Sequence, residues 1–353
     1  MIRAMTYVKP PRLRRGDAVA VISPSWGGPA AYPDVFDAGL ATLREELGLR
    51  VIEYPTARLP DAILSNDPRR RAADVVEAFA NPEVRAVIAS IGGDDSIRLL
   101  PHLASHGDVI RAHPKVLMGY SDTATLLVFV HLLGLVTFNG PAVMAGLAQA
   151  SALPPEHLAH LRAMLFDAPS ELEYRPFPWW SEGYPDWADP ANARRVAAPR
   201  PATGFRWLQG SGVHTGTLFG GCLDVLELLK GTASWPTDAA FWRGRVLFLE
   251  TSEEAPPVVF VRRALRNYGV QGAFDGLAAL LIGRGRGYPE ATRRELEAAI
   301  VDVVAREFGR ANLPIIAELD FGHTDPQWIM PLGVSIEVDC DARRLRLVEP
   351  AVT

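Results

Sequence analysis

Cysteine is scarce in this chain of 353 residues: Cys222 and Cys340 are the two present. They are too few for a disulfide framework and fit a reducing compartment. An excess of positive charge is also lacking. With 36 Lys and Arg against 41 Asp and Glu, the net charge is -5, so no general attraction to nucleic acid or to an anionic membrane is expected, and a small substrate is the better expectation. No apolar run is long enough to span a bilayer, since the most extended, 126–138, is interrupted by His131 and Gly134. The opening residues, MIRAMTYVKPPRLRRGD, are basic but carry no apolar core with a small-residue cleavage site. No secretory signal is read there, and the cytoplasm is expected. Internal repeats, low-complexity tracts and Cys/His clusters are missing too. Glu156-His157-x-x-His160 could put two imidazoles on one helical face, but no third ligand motif accompanies it, and no metal or other cofactor is expected.

What the chain does have is ordinary globular composition, 48% hydrophobic and 22% charged, at a length sufficient for two domains. From Ala18, short apolar runs (AVAVIS, RVIEY, RAVIAS, KVLMG) alternate with amphipathic segments. This rhythm predicts right-handed βαβ units and an α/β domain around a parallel sheet. Asn66-Asp67-Pro68 reads as a helix start, a capping side chain followed by Pro in the first turn. Around 165–212 the rhythm stops in a segment dense in Pro and aromatics, including Phe177, Trp179, Trp180, Tyr184 and Trp187. These rings could pack two domains together or wall a substrate cleft. A second alternating pattern follows from His214. The expected organisation is an N-terminal domain over 1–165, a linker and aromatic-rich loop over 166–212, and a second α/β domain over 213–353.

Three corners, SPSWGG, SIGGDDS and GYSD, each follow a predicted strand, and in parallel sheets that edge carries the ligand site. In GYSD the apolar run stops at Gly119 and restarts at helical spacing, which puts Ser121 on a sharp strand-to-helix corner. That is the setting of a nucleophile elbow, although Thr123 stands where G-x-S-x-G has its second Gly. The same serine would also serve as a helix cap. Glu250 ends the run VLFLE, and a carboxylate at a buried strand end is costly unless paired. His323 sits in a loop, FGHTDPQW, whereas His102, His106, His113, His131 and His214 have no partner evident in the sequence. Ser121, Glu250 and His323 would together supply nucleophile, orienting acid and base. Backbone N–H groups at Gly92, Gly93 and Asp122 are the candidate oxyanion donors.

SIGGDDSIRLLPHL, LMGYSDTATLL, TFNGP, GTLFGGCLDVLELLKGT, RVLFLETSEE and FGHTDPQWIMPLG, in this order, resemble the LD-carboxypeptidase family of serine peptidases, and more closely its MccF-like, microcin-immunity branch. The resemblance implies a flavodoxin-like N-terminal domain bearing Ser121 and a C-terminal domain bearing Glu250 and His323, with Gly92, Gly93 and Asp122 as oxyanion donors. It also implies a cytoplasmic homodimer that needs no metal. Members of the MccF-like branch cleave an aminoacyl or peptidyl amide linked to a nucleotide, whereas classical members release D-alanine from murein tetrapeptides in cell-wall recycling. The long aromatic segment and HTDP favour the former, with Trp187 as the ring that stacks on a nucleobase and Trp180 and Phe177 as further substrate contacts. Two departures bear on the substrate pocket: Cys222 stands where the family usually has Asn, and Glu254 where immunity-type members carry a basic residue. Rival readings are a phosphotransferase, from the likeness of IGGDDS to a GGDG phosphate turn, and a non-catalytic nucleotide- or peptide-binding protein. The first lacks the Gly that Asp95 replaces, and the second would need a damaged triad.

Overall fold

The computed structural model describes residues 7–353; the first six residues, part of the N-terminal reading above, lie outside them. Five strands form in the first half: β1 (Ala18–Ile22), β2 (Arg50–Glu53), β3 (Val84–Ala89), β4 (Val116–Gly119) and β5 (Thr137–Asn139). Every residue of β1 and β4 is buried, the unbroken apolar pattern of parallel strands covered on both faces. In the segment expected to be a linker lie β6 (Leu172–Glu173), β7 (Trp179–Trp180), β8 (Arg200–Pro201) and β9 (Arg206–Gln209). The remaining strands are β10 (Val213–Cys222), β11 (Arg245–Glu250), β12 (Ala279–Gly283), β13 (Ile315–Leu319), β14 (Met330–Leu332), β15 (Ser335–Asp339) and β16 (Arg344–Leu347).

Three sheets result. The first runs β14-β5-β4-β3-β1-β2, and its β5-β4-β3-β1-β2 portion is all parallel, in the flavodoxin-like order. The second runs β6-β16-β15-β10-β11-β12-β13-β9, with β10 to β13 parallel and antiparallel strands on both sides. The third is the β7–β8 pair. Two features were not read from the sequence. β14, from the far end of the chain, pairs antiparallel with β5 as an edge of the first sheet, and β6 and β9 join the second sheet although they lie in the irregular segment.

Local signals account for the elements that carry the site. Helix Pro68–Ala80 starts where expected, the Asp67 side chain accepting from the Arg70 amide at 3.0 Å. Helix Ala124–Leu132, which follows Ser121, is buried from Ala124 through His131 and apolar all round, as an interior helix must be. The second sheet meets it through Gly221, where a Cβ would come 3.2 Å from that of Ala124. Hence the carboxyl ends of β10 and β11 face the start of the helix after Ser121. Among the described residues no helix is long and apolar enough to cross a membrane.

Candidate active site

Ser121 ends the turn out of β4 with φ of 58°. A left-handed backbone at a residue with a Cβ costs about 1–2 kcal/mol, and such strain is found where a side chain must be held out of the regular path. The corner is fixed from below by Asp122, whose buried carboxylate accepts from Ser25 Oγ at 2.6 Å and from the Ser96 amide at 2.8 Å. Ser96 Oγ also donates to the Asp122 carbonyl at 2.7 Å. Burial pushes the Asp122 carboxyl up, against the pull of these donors. Gly92 faces the serine: a Cβ there would fall 2.8 Å from Ser121 Cβ, 3.0 Å from Oγ and 3.3 Å from the Asp122 amide nitrogen. Only a residue without a side chain leaves that space open.

Glu250 closes β11 and is 1% exposed. Its Oε2 accepts from His323 Nδ1 at 2.7 Å, across 73 residues of sequence. Gly322, at φ of 100°, permits this approach, because a Cβ there would stand 2.6 Å from Glu250 Oε2. The His323 loop is anchored by Asp320, which pairs with the buried guanidinium of Arg284 at 2.5 Å and accepts from the Phe177 amide at 2.9 Å. Burial opposes a charge on His323, but Glu250 and Glu253 together outweigh it, and the imidazole pKa rises to about 10. The ring's other nitrogen, Nε2, stands 2.9 Å from Glu253 Oε2, outside hydrogen-bond geometry, so that contact is an ion pair. The imidazolium in turn holds Glu253 down to about 2.

That ion pair has a pH window. The His323 contribution is complete below the ordinary histidine value of 6.5 and is lost as pH rises through about 10. The Glu253 contribution is complete above the ordinary value of 4.5 and is lost as pH falls through about 2. Glu253 is 53% exposed, so screening keeps the effect small. Glu253→Gln should lower the melting temperature by roughly 1–2 °C near pH 5.5 and by less near pH 9.5. Thermal melts showing equal losses at both pH values would contradict the pairing.

A cavity of about 580 Å³ opens over this group. Ser121, His323, Gly92 and Gly93 line it, as do Trp187 and Glu254, so all three strand-end corners read from the sequence reach it through Trp26, Gly92 and Ser121. The Trp187 ring stacks on Tyr184 at 5.0 Å and meets Tyr32 edge-on at 5.8 Å. Phe177, Trp180 and Cys222 are elsewhere, which corrects their expected place beside substrate. Phe177 is buried against His157 and Trp328. Trp180 is buried beneath the guanidinium groups of Arg200, Arg284 and Arg293, each about 5 Å from its ring. Cys222 lies opposite Glu250 in the β10–β11 register and is fully buried behind the site, its thiol pushed well up by burial and by Glu250.

The sequence singled out neither Glu253 nor Arg286, which also line the cavity, as does Tyr184, one of the rings of the aromatic segment. The run TSEE was a visible signal only for charge, not for contact with His323. Cys222, Glu250 and His323 bring one ligand atom each within 4.8 Å of one another, but Glu250 and His323 spend an atom each on their mutual hydrogen bond, and a thiol of raised pKa is a poor metal ligand. His157 and His160 are both buried, and His160 Nε2 accepts from the Ile329 amide at 2.9 Å, so the paired imidazoles are part of the core.

Comparison with known proteins gives the family of the chain. Residues 19–140 match the LD-carboxypeptidase N-terminal domain and residues 215–338 the LD-carboxypeptidase C-terminal domain. A candidate carboxypeptidase of Streptomyces coelicolor is 30% identical over 98% of this chain and 97% of its own. The microcin C7 self-immunity protein MccF of Escherichia coli is 26% identical over 95% of this chain and 94% of its own. MccF solved in complex with aspartyl sulfamoyl adenosine shares the fold, with a TM-score of 0.85 at 24% identity over 98% of this chain and all of that one. The MccF-like protein of Streptococcus pneumoniae, solved in complex with AMP, has a TM-score of 0.82 at 28% identity, covering 94% of this chain and 98% of that one. With both domains matched and the likeness running through nearly its full length, this chain belongs to the LD-carboxypeptidase family of serine peptidases.

Proposed function

We propose that Ser121, Glu250 and His323 form the catalytic triad of a peptidase or amidase that cleaves an aminoacyl or peptidyl amide linked to a nucleotide. The observation that carries this reading is one cavity in which Ser121 and His323 share a wall with the aromatic group of Trp26, Tyr184 and Trp187. Ser121 Oγ attacks the amide carbonyl while His323 Nε2 takes its proton. The developing oxyanion meets backbone N–H groups at Gly93 and Asp122. Collapse expels the amine, which takes the proton from His323, and water then releases the acyl group by the same steps in reverse order. Glu250 holds the imidazole in the tautomer this requires. No cofactor enters the scheme.

Trp187 supplies the stacking surface for the base. Its ring is already held by Tyr184 and Tyr32, so little ordering is needed on binding. The ligands of the two related structures, AMP and aspartyl sulfamoyl adenosine, are of the class this wall fits. Trp187→Ala should weaken binding of a nucleotide-bearing substrate about tenfold or more, the worth of one base–aromatic stack, with a small change in melting temperature. An early melt with unchanged affinity, measured by calorimetry, would make the ring a packing element instead. The reaction itself is tested by incubating the protein with an aminoacyl sulfamoyl adenylate and, separately, with a murein tetrapeptide, and reading products by mass spectrometry. Cleavage of the tetrapeptide alone would overturn the nucleotide reading.

A further inference from the structure

A serine hydrolase needs the two nitrogens of its histidine for different tasks, one for the orienting acid and one for the serine. In this chain Nδ1 of His323 is spent on Glu250, but Nε2 faces Glu253 Oε2 at 2.9 Å. Among the described residues no hydrogen bond joins Ser121 Oγ to the ring. The two carboxylates differ in what holds them. Glu250 is wholly buried at a strand end, whereas the Glu253 side chain is 53% exposed in the turn after β11 and forms no other ion pair among the described residues. An exposed carboxylate on a loop can swing aside at little cost, provided that it finds another partner.

The cavity decides which partner that can be. Apart from the His323 imidazolium, its charged lining consists of Asp61, Asp94, Glu253 and Glu254 against one guanidinium, Arg286. A neutral acyl side chain gives Glu253 no reason to leave an imidazolium, and an anionic one would be repelled. A cation placed between the carboxylates satisfies Glu253 in place of His323. We propose that Glu253 is a specificity-determining residue that exchanges His323 Nε2 for a positively charged group on the acyl portion of the substrate. The substrate class is then an aminoacyl or peptidyl amide whose acyl residue carries a cationic side chain. This rests on Ser121 and His323 being nucleophile and base. Once Glu253 is withdrawn, the proton on Nε2 passes to water and the neutral nitrogen can receive that of Ser121.

The groups facing His323 limit what can shift its titration. Glu250 at the end of β11 and Cys222 at the end of β10 are buried. Tyr120, 5.0 Å edge-on at the end of β4, is pushed well above its usual range by burial. Asp325, in the same loop, is raised by burial to about 6, and Arg286, after β12, draws down both Glu253 and Asp325. A limb due to Asp325 therefore stays near pH 6 when Glu253 is replaced, and a limb due to His323 moves.

The test compares the wild type with Glu253→Gln by three measurements: His323 ring titration by NMR, the rate of Ser121 labelling by a fluorophosphonate against pH, and kcat/KM for lysyl and norleucyl sulfamoyl adenylates, which match in size and differ in charge. In the variant the His323 midpoint should fall by about one pH unit or more, with about a tenfold rise in Ser121 labelling at pH 7. The preference for lysyl over norleucyl should shrink by about tenfold. An unmoved midpoint, or an unchanged lysyl to norleucyl ratio, overturns the role given to Glu253 while labelling of Ser121 still stands. Absence of labelling in both proteins at every pH removes the nucleophile, and this inference falls with it.

Discussion

Ser121→Ala should lose turnover by about 10⁵-fold or more, and His323→Ala by a comparable factor, while the double variant is little worse than either. The reason is that nucleophile and base act as one unit: without the hydroxyl there is no proton for His323 to take, and without the imidazole the hydroxyl is a weak nucleophile. Substrate affinity should largely survive in Ser121→Ala, because the deletion removes one oxygen from a cavity whose other walls, Trp26, Tyr184 and Trp187 among them, are untouched. The protein should stay folded, since the corner is fixed by the Asp122 carboxylate through Ser25 and Ser96 rather than by Ser121 Oγ. Turnover by the wild type should also persist in EDTA, as no step calls on a metal. Single-turnover kinetics and equilibrium binding on the same protein separate these effects. Substantial hydrolysis by a folded Ser121→Ala protein would return Ser121 to the part of a helix cap.

The three residues proposed as the triad each have a local signature in the sequence. Ser121 breaks an apolar run at a Gly-Tyr-Ser-Asp corner, Glu250 puts a charge where a buried strand should end, and His323 lies in a loop bracketed by Gly322 and Thr324-Asp325-Pro326. The parallel sheet was legible for the same kind of reason, since fully buried strands leave unbroken apolar runs such as AVAVI. What spacing could not show was contact. The bond between His323 and Glu250 spans 73 residues, and it depends on a backbone approach at Gly322 that is visible only in three dimensions. Glu253 was illegible for a different reason: an exposed carboxylate in TSEE looks like any solvated charge until the loop carries it to Nε2. Phe177 and Trp180 were misplaced because an aromatic-rich, Pro-rich stretch reads as a surface wall, whereas their partners Trp328, Arg284 and Arg293 come from more than a hundred residues away. β14 has three residues, too short for any period to register.

Glu250→Gln should cost about 10³–10⁴-fold in kcat, with little change in fold. The substitution keeps the volume of a side chain that is fully enclosed, so neither a cavity nor a clash arises at Gly322. The carboxylate already leaves Oε1 without a partner, and its burial is unfavourable enough to push its pKa up against the pull of His323. Replacing it with a neutral amide therefore changes stability by no more than about 1–2 kcal/mol in either direction. The chemistry changes far more. An amide can turn its NH₂ toward Nδ1 and stabilise the tautomer with the proton on Nε2, which cannot accept from Ser121, and it no longer stabilises the imidazolium formed in the transition state. With Glu250 neutralised, one of the two carboxylates that raise His323 is gone, so the ring's titration should fall from about 10 toward the ordinary value of 6.5 and the acid limb of kcat/KM should move the same way. The combination of near-normal melting, low kcat and a limb displaced toward acid is specific to an orienting acid. A variant that melts as the wild type does and retains turnover within about tenfold would show that Glu250 only fills space behind His323.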